Sequence, residues 1–179
     1  MVTIVANLHT LKQHLHTLKF NIDAYRPKAC PRCCRSGLWR HGVYYRKSDR
    51  ANLAGQNLNP VPICRFFCPH CRCTCSTLPE CIAPRHWYLW ALQHTALVSM
   101  TQGQSLCQIS AQTSVCRATL RRWRTRFKQG FATHAFCLRE RCPQLGRFTH
   151  FSDFWGACLD RMHLSRAMLW IHQAQLAVP

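Results

Sequence analysis

Two cysteine pairs constrain this chain more than any other feature of its sequence. Cys30 and Cys33 form one C-P-x-C motif, Cys68 and Cys71 form another, and 34 residues separate the two motifs. A C-x2-C turn can place two sulfurs about 2.3 Å from one ion, and a second turn completes a tetrahedral shell. The spacing therefore predicts a four-cysteine zinc ribbon with one structural Zn²⁺ ion.

The segment between the two motifs has the composition of such a ribbon. Leu38 to Tyr45 and Ile63 to Phe67 are rich in aromatic and branched residues, which predicts two strands. Ser48 to Pro60 is rich in asparagine and predicts an exposed loop between them. A redox dithiol is the alternative interpretation of a C-x2-C motif, but it usually stands alone in a βαβ unit.

The chain holds 14 cysteines, far more than one metal site needs. Residues 1–20 lack the charged start and apolar block of a secretion signal, so we expect a reducing, cytoplasmic and nucleoid-associated location. No stretch reaches the roughly 18 apolar residues of a membrane span. Burial as small apolar side chains explains the surplus cysteines most simply. A second metal site is the alternative, with ligands drawn from Cys64, Cys73, Cys75, Cys81 and His70.

Residues 105–127 have the pattern of a helix-turn-helix motif. Ser110 supplies the small residue at the helix crossing, and the second helix should run from about Cys116 to Phe127. Ser114 stands where the turn usually has glycine, and Cys116 stands where a serine or threonine cap is usual. The apolar residues that would fill the angle between the helices are Ile109, Val115, Leu120 and Trp123. The residues that would face a DNA major groove are Arg117, Ala118, Arg121, Arg122 and Thr125.

The charge of the chain favours a polyanionic partner. Lysine and arginine total 24 against six acidic residues, for a formal net charge of +18. Such an excess attracts nucleic acid first and acidic membranes second. Double-stranded DNA is thus the expected partner, with Arg40, Arg46 and Lys47 of the ribbon as a second phosphate-contacting surface. The alternative is that the basic helix is merely solvated.

The remaining periodicity predicts a fold that is mainly α with a small β zinc ribbon. Apolar residues at spacings of four and three predict a helix over residues 3–20 that packs on the body of the protein, with a homodimer helix as the alternative. Pro84 suits a helix start, and Ser105, Ser152 and Ser165 suit helix N-caps. The expected parts are an N-terminal amphipathic helix (1–25), the zinc ribbon (26–83), a three-helix helix-turn-helix domain (84–130) and a helical C-terminal extension or tail (131–179).

The order of these motifs resembles the N-terminal regions of bacterial insertion-sequence transposases. It is also similar to the short zinc-ribbon and helix-turn-helix proteins encoded beside transposases. The resemblance covers roughly residues 26–128 and includes the strand Leu38-Trp39-Arg40-His41-Gly42. It implies DNA binding at transposable-element ends or at the element's own promoter, with a transposase as a further partner.

The resemblance does not extend to catalysis. Transposases of that type cut DNA with an Asp-Asp-Glu triad that holds two metal ions. Three acids lie before, within and just after the ribbon, and nothing resembles the sheet that carries the triad. We therefore expect a protein that is not an enzyme. The six acids are Asp23, Asp49, Glu80, Glu140, Asp153 and Asp160.

Three other functions remain open from the sequence. The first is a non-catalytic accessory subunit that binds a transposase through the N-terminal helix and C-terminal aromatic residues, with only non-specific DNA affinity. The second is RNA binding by ribbon aromatics, although burial explains them more simply. The third, a cysteine nucleophile, lacks a recognisable base beside it. The ribbon aromatics are Tyr44, Tyr45, Phe66 and Phe67.

Overall fold

The computed structural model describes residues 2–47, 58–84 and 88–178. It divides into two compact units, Met1–Leu89 and Trp90–Pro179. The described residues form a mixed α/β structure with one four-stranded sheet and seven α-helices. The first unit contains β1 (Val2–Val5), α1 (Leu11–Phe20), β2 (Trp39–Arg46), β3 (Val61–Phe67) and β4 (Thr74–Pro79). The second contains α2 (Trp90–Thr101), α3 (Leu106–Thr113), α4 (Arg117–Gln129), α5 (Phe131–Arg141), α6 (Phe151–Arg161) and α7 (Leu164–Gln173).

The sheet has the order β1-β4-β3-β2, and only the β1–β4 pair is parallel. Strands β2 and β3 confirm the two strands predicted between the cysteine motifs. A bulge interrupts their register between Arg40 and Val43. Gly42 lies within it at a φ of +102°, a conformation that a Cβ-bearing residue adopts only under strain.

The helix predicted over residues 3–20 is wrong in its first half. Residues 2–5 form β1, in which Ile4 lies opposite Leu78 of β4. The sequence Val-Thr-Ile-Val is mostly β-branched and fits a strand better than a helix. The helix begins only at Leu11, after Thr10 and Gln13 form a capping box.

Two apolar clusters cover the sheet. One cluster brings Leu8 and Tyr25 against the strand residues Cys64, Phe66 and Cys75. The other packs Leu11 and the segment after β4 against the opposite end of β3. Because β4 contributes to both clusters, the strand Thr74–Pro79, which the sequence analysis did not predict, is central to the core.

A buried histidine ties α1 to the sheet. His14 is fully buried, and its Nε2 lies 2.8 Å from the carbonyl oxygen of Pro62, which can only accept. Nε2 therefore carries the proton, and Nδ1 accepts from the Tyr25 hydroxyl at 2.5 Å. Burial lowers the pKa of His14, so the neutral ring is the stable form.

The second unit is built from helices whose starts were predicted approximately. Ser105 caps α3 in a capping box with Gln108, as expected. The start at Pro84 is wrong, because α2 begins at Trp90; Trp87, which entered that prediction, lies outside the described residues. The caps of α6 and α7 are His150 and His163 instead of the serines two residues later.

The aromatic residues of the C-terminal helices form the core of this second unit. The rings of Phe127 and Trp155 meet edge to face at 5.3 Å, and Phe154 contacts both Trp155 and Phe131. Phe154 and Trp155 are fully buried. These contacts join α4 and α5 to α6, while α2 packs against α6 and α7. None of the described helices is both long and apolar enough to cross a bilayer.

Candidate metal centre and nucleic-acid interface

The two cysteine motifs fold into nearly identical turns. The N–H of Cys30 donates to the Arg35 carbonyl at 2.8 Å, and the N–H of Cys68 donates to the Cys73 carbonyl at 2.9 Å. In each turn, the residue after the second cysteine is left-handed, at φ 58° for Cys34 and 55° for Arg72. Each of these residues also donates its N–H to the carbonyl of the first cysteine at 2.9 Å. The backbone therefore sets the direction of all four thiols.

The four sulfurs converge as the spacing predicted. Cys30, Cys33, Cys68 and Cys71 place their Sγ atoms within 4.8 Å of one another. The Cys30–Cys71 and Cys33–Cys68 sulfur pairs are each 3.6 Å apart. Four sulfurs about 2.3 Å from one tetrahedral ion lie about 3.8 Å apart. This cluster could therefore hold a metal ion with little movement.

Backbone amides favour the thiolate at two of the four cysteines, whereas hydrogen bonds among the thiols and burial raise the pKa of Cys71 and of Cys33. The N–H of Arg32 donates to Cys30 Sγ at 3.4 Å. This contact and the N–H of Cys33 lower the pKa of the Cys30 thiol to about 6. The N–H of Cys71 lowers the pKa of Cys68 in the same way. A thiol with a lowered pKa is more often the thiolate that a metal requires at neutral pH.

The surplus cysteines divide into two groups. Cys64, Cys75 and Cys81 are buried among apolar residues, as the simpler interpretation predicted. Cys73 differs, because its Sγ lies 3.1 Å from that of Cys71 and 3.7 Å from that of Cys30. Cys73 was expected to be either a small buried side chain or a ligand of a second metal site, although its C-x-C spacing from Cys71 is visible in the sequence.

The cysteines outside the ribbon were all expected to be structural, and the structure distinguishes among them. Cys137 and Cys158 are buried in the helical unit. Cys107 and Cys116 are exposed. His70, the remaining candidate for a second metal, is exposed, and its Nδ1 lies 3.5 Å from Arg35 Nη1.

The apolar residues predicted to pack between helices α3 and α4 are buried there. Ile109, Val115 and Leu120 are fully buried, and Trp123 is 5% exposed. Ser114 ends α3 in the left-handed conformation at φ 56°, where glycine was the usual residue. Cys116 precedes α4 but makes no side-chain cap bond to the helix backbone. The motif therefore keeps its core despite two unfavourable residues in its turn.

Helix α4 presents a continuous basic surface to solvent. All five of the expected groove-facing residues are exposed: Arg117, Ala118, Arg121, Arg122 and Thr125. Arg124, Arg126 and Lys128 are exposed on the same helix, which contains no acidic residue. Arg122 donates to the Thr119 hydroxyl at 3.1 Å, which orients its guanidinium along the helix. An acid-free helix of this kind can contact phosphates and base edges.

The three basic residues expected on the ribbon are not equally accessible. Arg40 and Lys47 are exposed, near the two ends of β2. Arg46 is half-buried and donates to the Ala83 carbonyl at 3.4 Å. Burial lowers the pKa of its guanidinium, and its contacts hold it against the protein. Arg40 and Lys47 are therefore the more accessible of the three expected contacts. Most of the asparagine-rich loop lies outside the described residues.

The ribbon aromatics also differ from expectation. Phe66 is buried in the core, whereas Tyr45 is 67% exposed. Trp39, which the sequence analysis placed only in a strand, is 62% exposed. Its position in β2 opposite Phe67, at the edge of the sheet, could not be read from strand alternation because the bulge follows directly.

The chain thus carries two surfaces that suit different ligands. The cysteine cluster lies in the first unit, and the basic helix α4 lies in the second. No model of a known protein family matches the chain, and searches of curated proteins and of solved structures likewise find no match.

Proposed function

We propose that this protein binds double-stranded DNA in a sequence-dependent way, with α4 as the helix that enters the major groove. The observation that most supports this proposal is the exposed basic face of α4. Helix α4 follows α3 after a left-handed residue, Ser114. Six basic residues lie between Arg117 and Lys128 with no acid among them. Arginine can bind guanine in two places at once and can also grip phosphate.

The cysteine cluster is proposed to hold one structural Zn²⁺ ion. Zinc suits four thiolates in a tetrahedron and needs no redox partner. Its role here is to hold the strands next to Arg40 and Lys47, which would contact the DNA backbone. The protein would act by recognition and not by catalysis.

The ends of an insertion sequence are the first DNA to test, on the strength of the motif order alone. We also keep the accessory-subunit function as an alternative. Part of what favoured it lies in the core, because Ile4 and Leu8 pack inside the first unit and Phe154 and Trp155 pack inside the second. The other C-terminal aromatics are half-buried, namely Phe148, Phe151 and Trp170. Equal affinity for element-end DNA and random DNA would favour that alternative.

The test of α4 is the binding of duplex DNA to wild-type protein and to an Arg121→Ala variant. The favoured duplex is first selected from a random pool by the wild-type protein. Arg121→Ala should weaken binding to that duplex by about 1–3 kcal/mol and leave the thermal unfolding unchanged, because the side chain is exposed. Arg161→Ala, at an exposed residue of α6 in the same unit, is the control for the loss of one positive charge. Equal effects of the two variants would contradict a specific role for α4.

A further inference from the structure

One face of the sheet is left open near the cysteine turns. Phe66 of β3 points to the face that Leu8 and Tyr25 cover. Its neighbour Phe67 must point to the opposite face, since side chains alternate along a strand. Trp39 lies directly opposite Phe67 in the antiparallel pair, with ring centroids 6.4 Å apart. The ring of His41 lies 5.8 Å from that of Phe67.

This aromatic face is exposed to solvent. Trp39 is 62% exposed, His41 is exposed and Phe67 is half-buried. Arg65 lies two residues before Phe67 on the same side of β3, where it donates to the Thr74 hydroxyl at 3.2 Å. The aromatic face therefore combines three rings with a guanidinium held by a strand neighbour. We define it by Trp39, His41, Arg65 and Phe67.

The charges around this face favour an anionic ligand over a cationic one. The described part of the first unit contains two acidic residues. Asp23 is paired with Arg26 at 2.8 Å, and Glu80 is buried with 1% of its surface exposed. No described carboxylate is therefore free on the surface near the rings. Flat apolar rings in a positive field fit a ligand that is both aromatic and anionic.

We propose that the aromatic face binds unpaired bases of single-stranded DNA by stacking. Base stacking on exposed aromatic side chains is sequence-tolerant, and a positive surface holds the phosphates alongside. A duplex covers the faces of its bases with their neighbours, so it cannot use these rings. This site would act separately from α4, whose surface suits duplex DNA.

The test compares Trp39→Ala with Phe20→Ala in the full-length protein. Phe20 is the matched control, because it is 66% exposed on α1 of the same unit and is not part of the aromatic face. Protein is titrated into a fluorescent oligothymidine of twelve nucleotides, and binding is followed by fluorescence anisotropy. A duplex of the same length is titrated in parallel. Trp39→Ala should weaken oligothymidine binding by about 5- to 100-fold. Phe20→Ala should leave it unchanged, and Trp39→Phe should restore most of it.

Several outcomes would overturn this site. They are the absence of oligothymidine binding by wild-type protein, unchanged binding by Trp39→Ala, or equal weakening by Phe20→Ala. An equal loss of duplex and single-strand affinity in Trp39→Ala would also overturn it, because it would show a general DNA surface. Arg121→Ala reports on α4 independently, so failure of the aromatic face is distinguishable from failure of the proposed duplex binding.

A second inference rests on different distances and on the proposed metal centre. Cys73 occupies the position in the second turn that Arg35 occupies in the first. Its Sγ lies 3.7 Å from that of Cys30, close to the spacing of two ligands on one tetrahedral ion. It lies only 3.1 Å from the Sγ of Cys71, too close for both to bind the same ion comfortably. Cys73 is not one of the four cysteines whose sulfurs all lie within 4.8 Å of one another. We propose that its thiol moves in as an alternative fourth ligand when Cys71 is lost.

Metal content after dialysis tests this exchange. Cys71→Ser and Cys73→Ser should each retain one Zn²⁺ ion per chain, and the double variant should lose it. If Cys71→Ser loses zinc while the wild-type protein retains it, the exchange is overturned but the metal centre is not. Retention of zinc by the double variant would also overturn the exchange. Absence of zinc from wild-type protein reconstituted with Zn²⁺ would instead overturn the metal centre itself.

Discussion

At the scale of single residues, backbone geometry directs the four thiols of the cysteine cluster. The two turns use the same pair of hydrogen bonds, and Cys34 and Arg72 take the same left-handed conformation. The N–H groups that these turns aim at sulfur lower the pKa of Cys30 and of Cys68. The thiolate that a metal requires is therefore favoured at these two positions before any ion binds.

Cys33→Ser should abolish metal binding, because it removes one of the four thiols that converge. Its Sγ lies 3.6 Å from Cys68 Sγ. Loss of the ion should also destabilise the ribbon, since metal binding and folding are coupled in small zinc modules. The measurement is zinc per chain by elemental analysis together with the unfolding transition. Cys107→Ser, an exposed cysteine of α3, is the control and should retain the ion.

Another residue-scale effect comes from His134 of α5. It is buried, and its Nε2 donates to the Ala177 carbonyl at 3.0 Å. Its Nδ1 has no partner among the described residues, so protonation would leave a second N–H unsatisfied. Burial lowers the pKa of His134 from its ordinary value of 6.5.

The free energy of unfolding should therefore fall as the pH decreases below about 6.5. A lowered pKa in the folded state means that the unfolded chain binds the proton more readily, so acid favours unfolding. Urea unfolding at about pH 7.5 and about pH 5.5 measures the change. His134→Gln, which cannot be protonated, should lose less stability between the two pH values. Identical losses in both proteins would contradict this role of His134.

At the scale of elements, the helix-turn-helix accepts two unfavourable residues because its apolar angle is well filled. Ser114 adopts φ 56° and ψ 16°, and Cys116 gives α4 no side-chain cap bond. Ile109, Val115 and Leu120 are fully buried between the helices. Burial of this kind stabilises the motif by more than the turn destabilises it.

Ser114→Gly should stabilise the second unit by about 0.5–1 kcal/mol. Glycine adopts the left-handed conformation without the strain that a Cβ causes, although it gains some freedom in the unfolded chain. Ser114→Val should have the opposite effect, because a β-branched residue is the least tolerant of this conformation. Chemical unfolding of the two variants measures both changes. A destabilising effect of Ser114→Gly would be inconsistent with the turn described here.

At the scale of the whole molecule, positive charge is found on both units. Helix α4 is acid-free in the second unit, and Arg40 and Lys47 are exposed in the first. Most exposed acids of the described chain lie on α5 and α6, at Glu140, Asp153 and Asp160. Part of the net charge of +18 therefore lies on exposed surfaces, where it can attract a polyanion.

The salt dependence of duplex binding measures how many phosphates these basic residues contact. If about five phosphates are contacted, a plot of log K against log salt concentration should have a slope of roughly −4.5. Titrations between about 50 and 200 mM salt give the slope. Lys47→Ala should reduce its magnitude by about 1 if Lys47 contacts a phosphate. A slope near zero would falsify nucleic-acid binding altogether.

Much of this structure was predictable because local rules decide it. The C-x2-C turns, strands β2 and β3, the apolar angle of the helix-turn-helix and the exposed basic face of α4 all follow from spacing and periodicity. Strand β1 was not predictable in this way. Its Ile4 falls on the same apolar stripe as Leu8 and Leu11, and only pairing with β4 distinguishes strand from helix.

The amino-acid sequence by itself therefore determined the four cysteines that converge and the charge of α4, since both depend on residue type and short-range spacing. The tertiary structure alone decided which side chains meet from distant positions. It buried Phe66 and exposed Trp39, because a bulge and the covering of one sheet face are non-local. It also placed Cys73 beside Cys71 and Cys30, because the two cysteine turns face each other only when the strands pair.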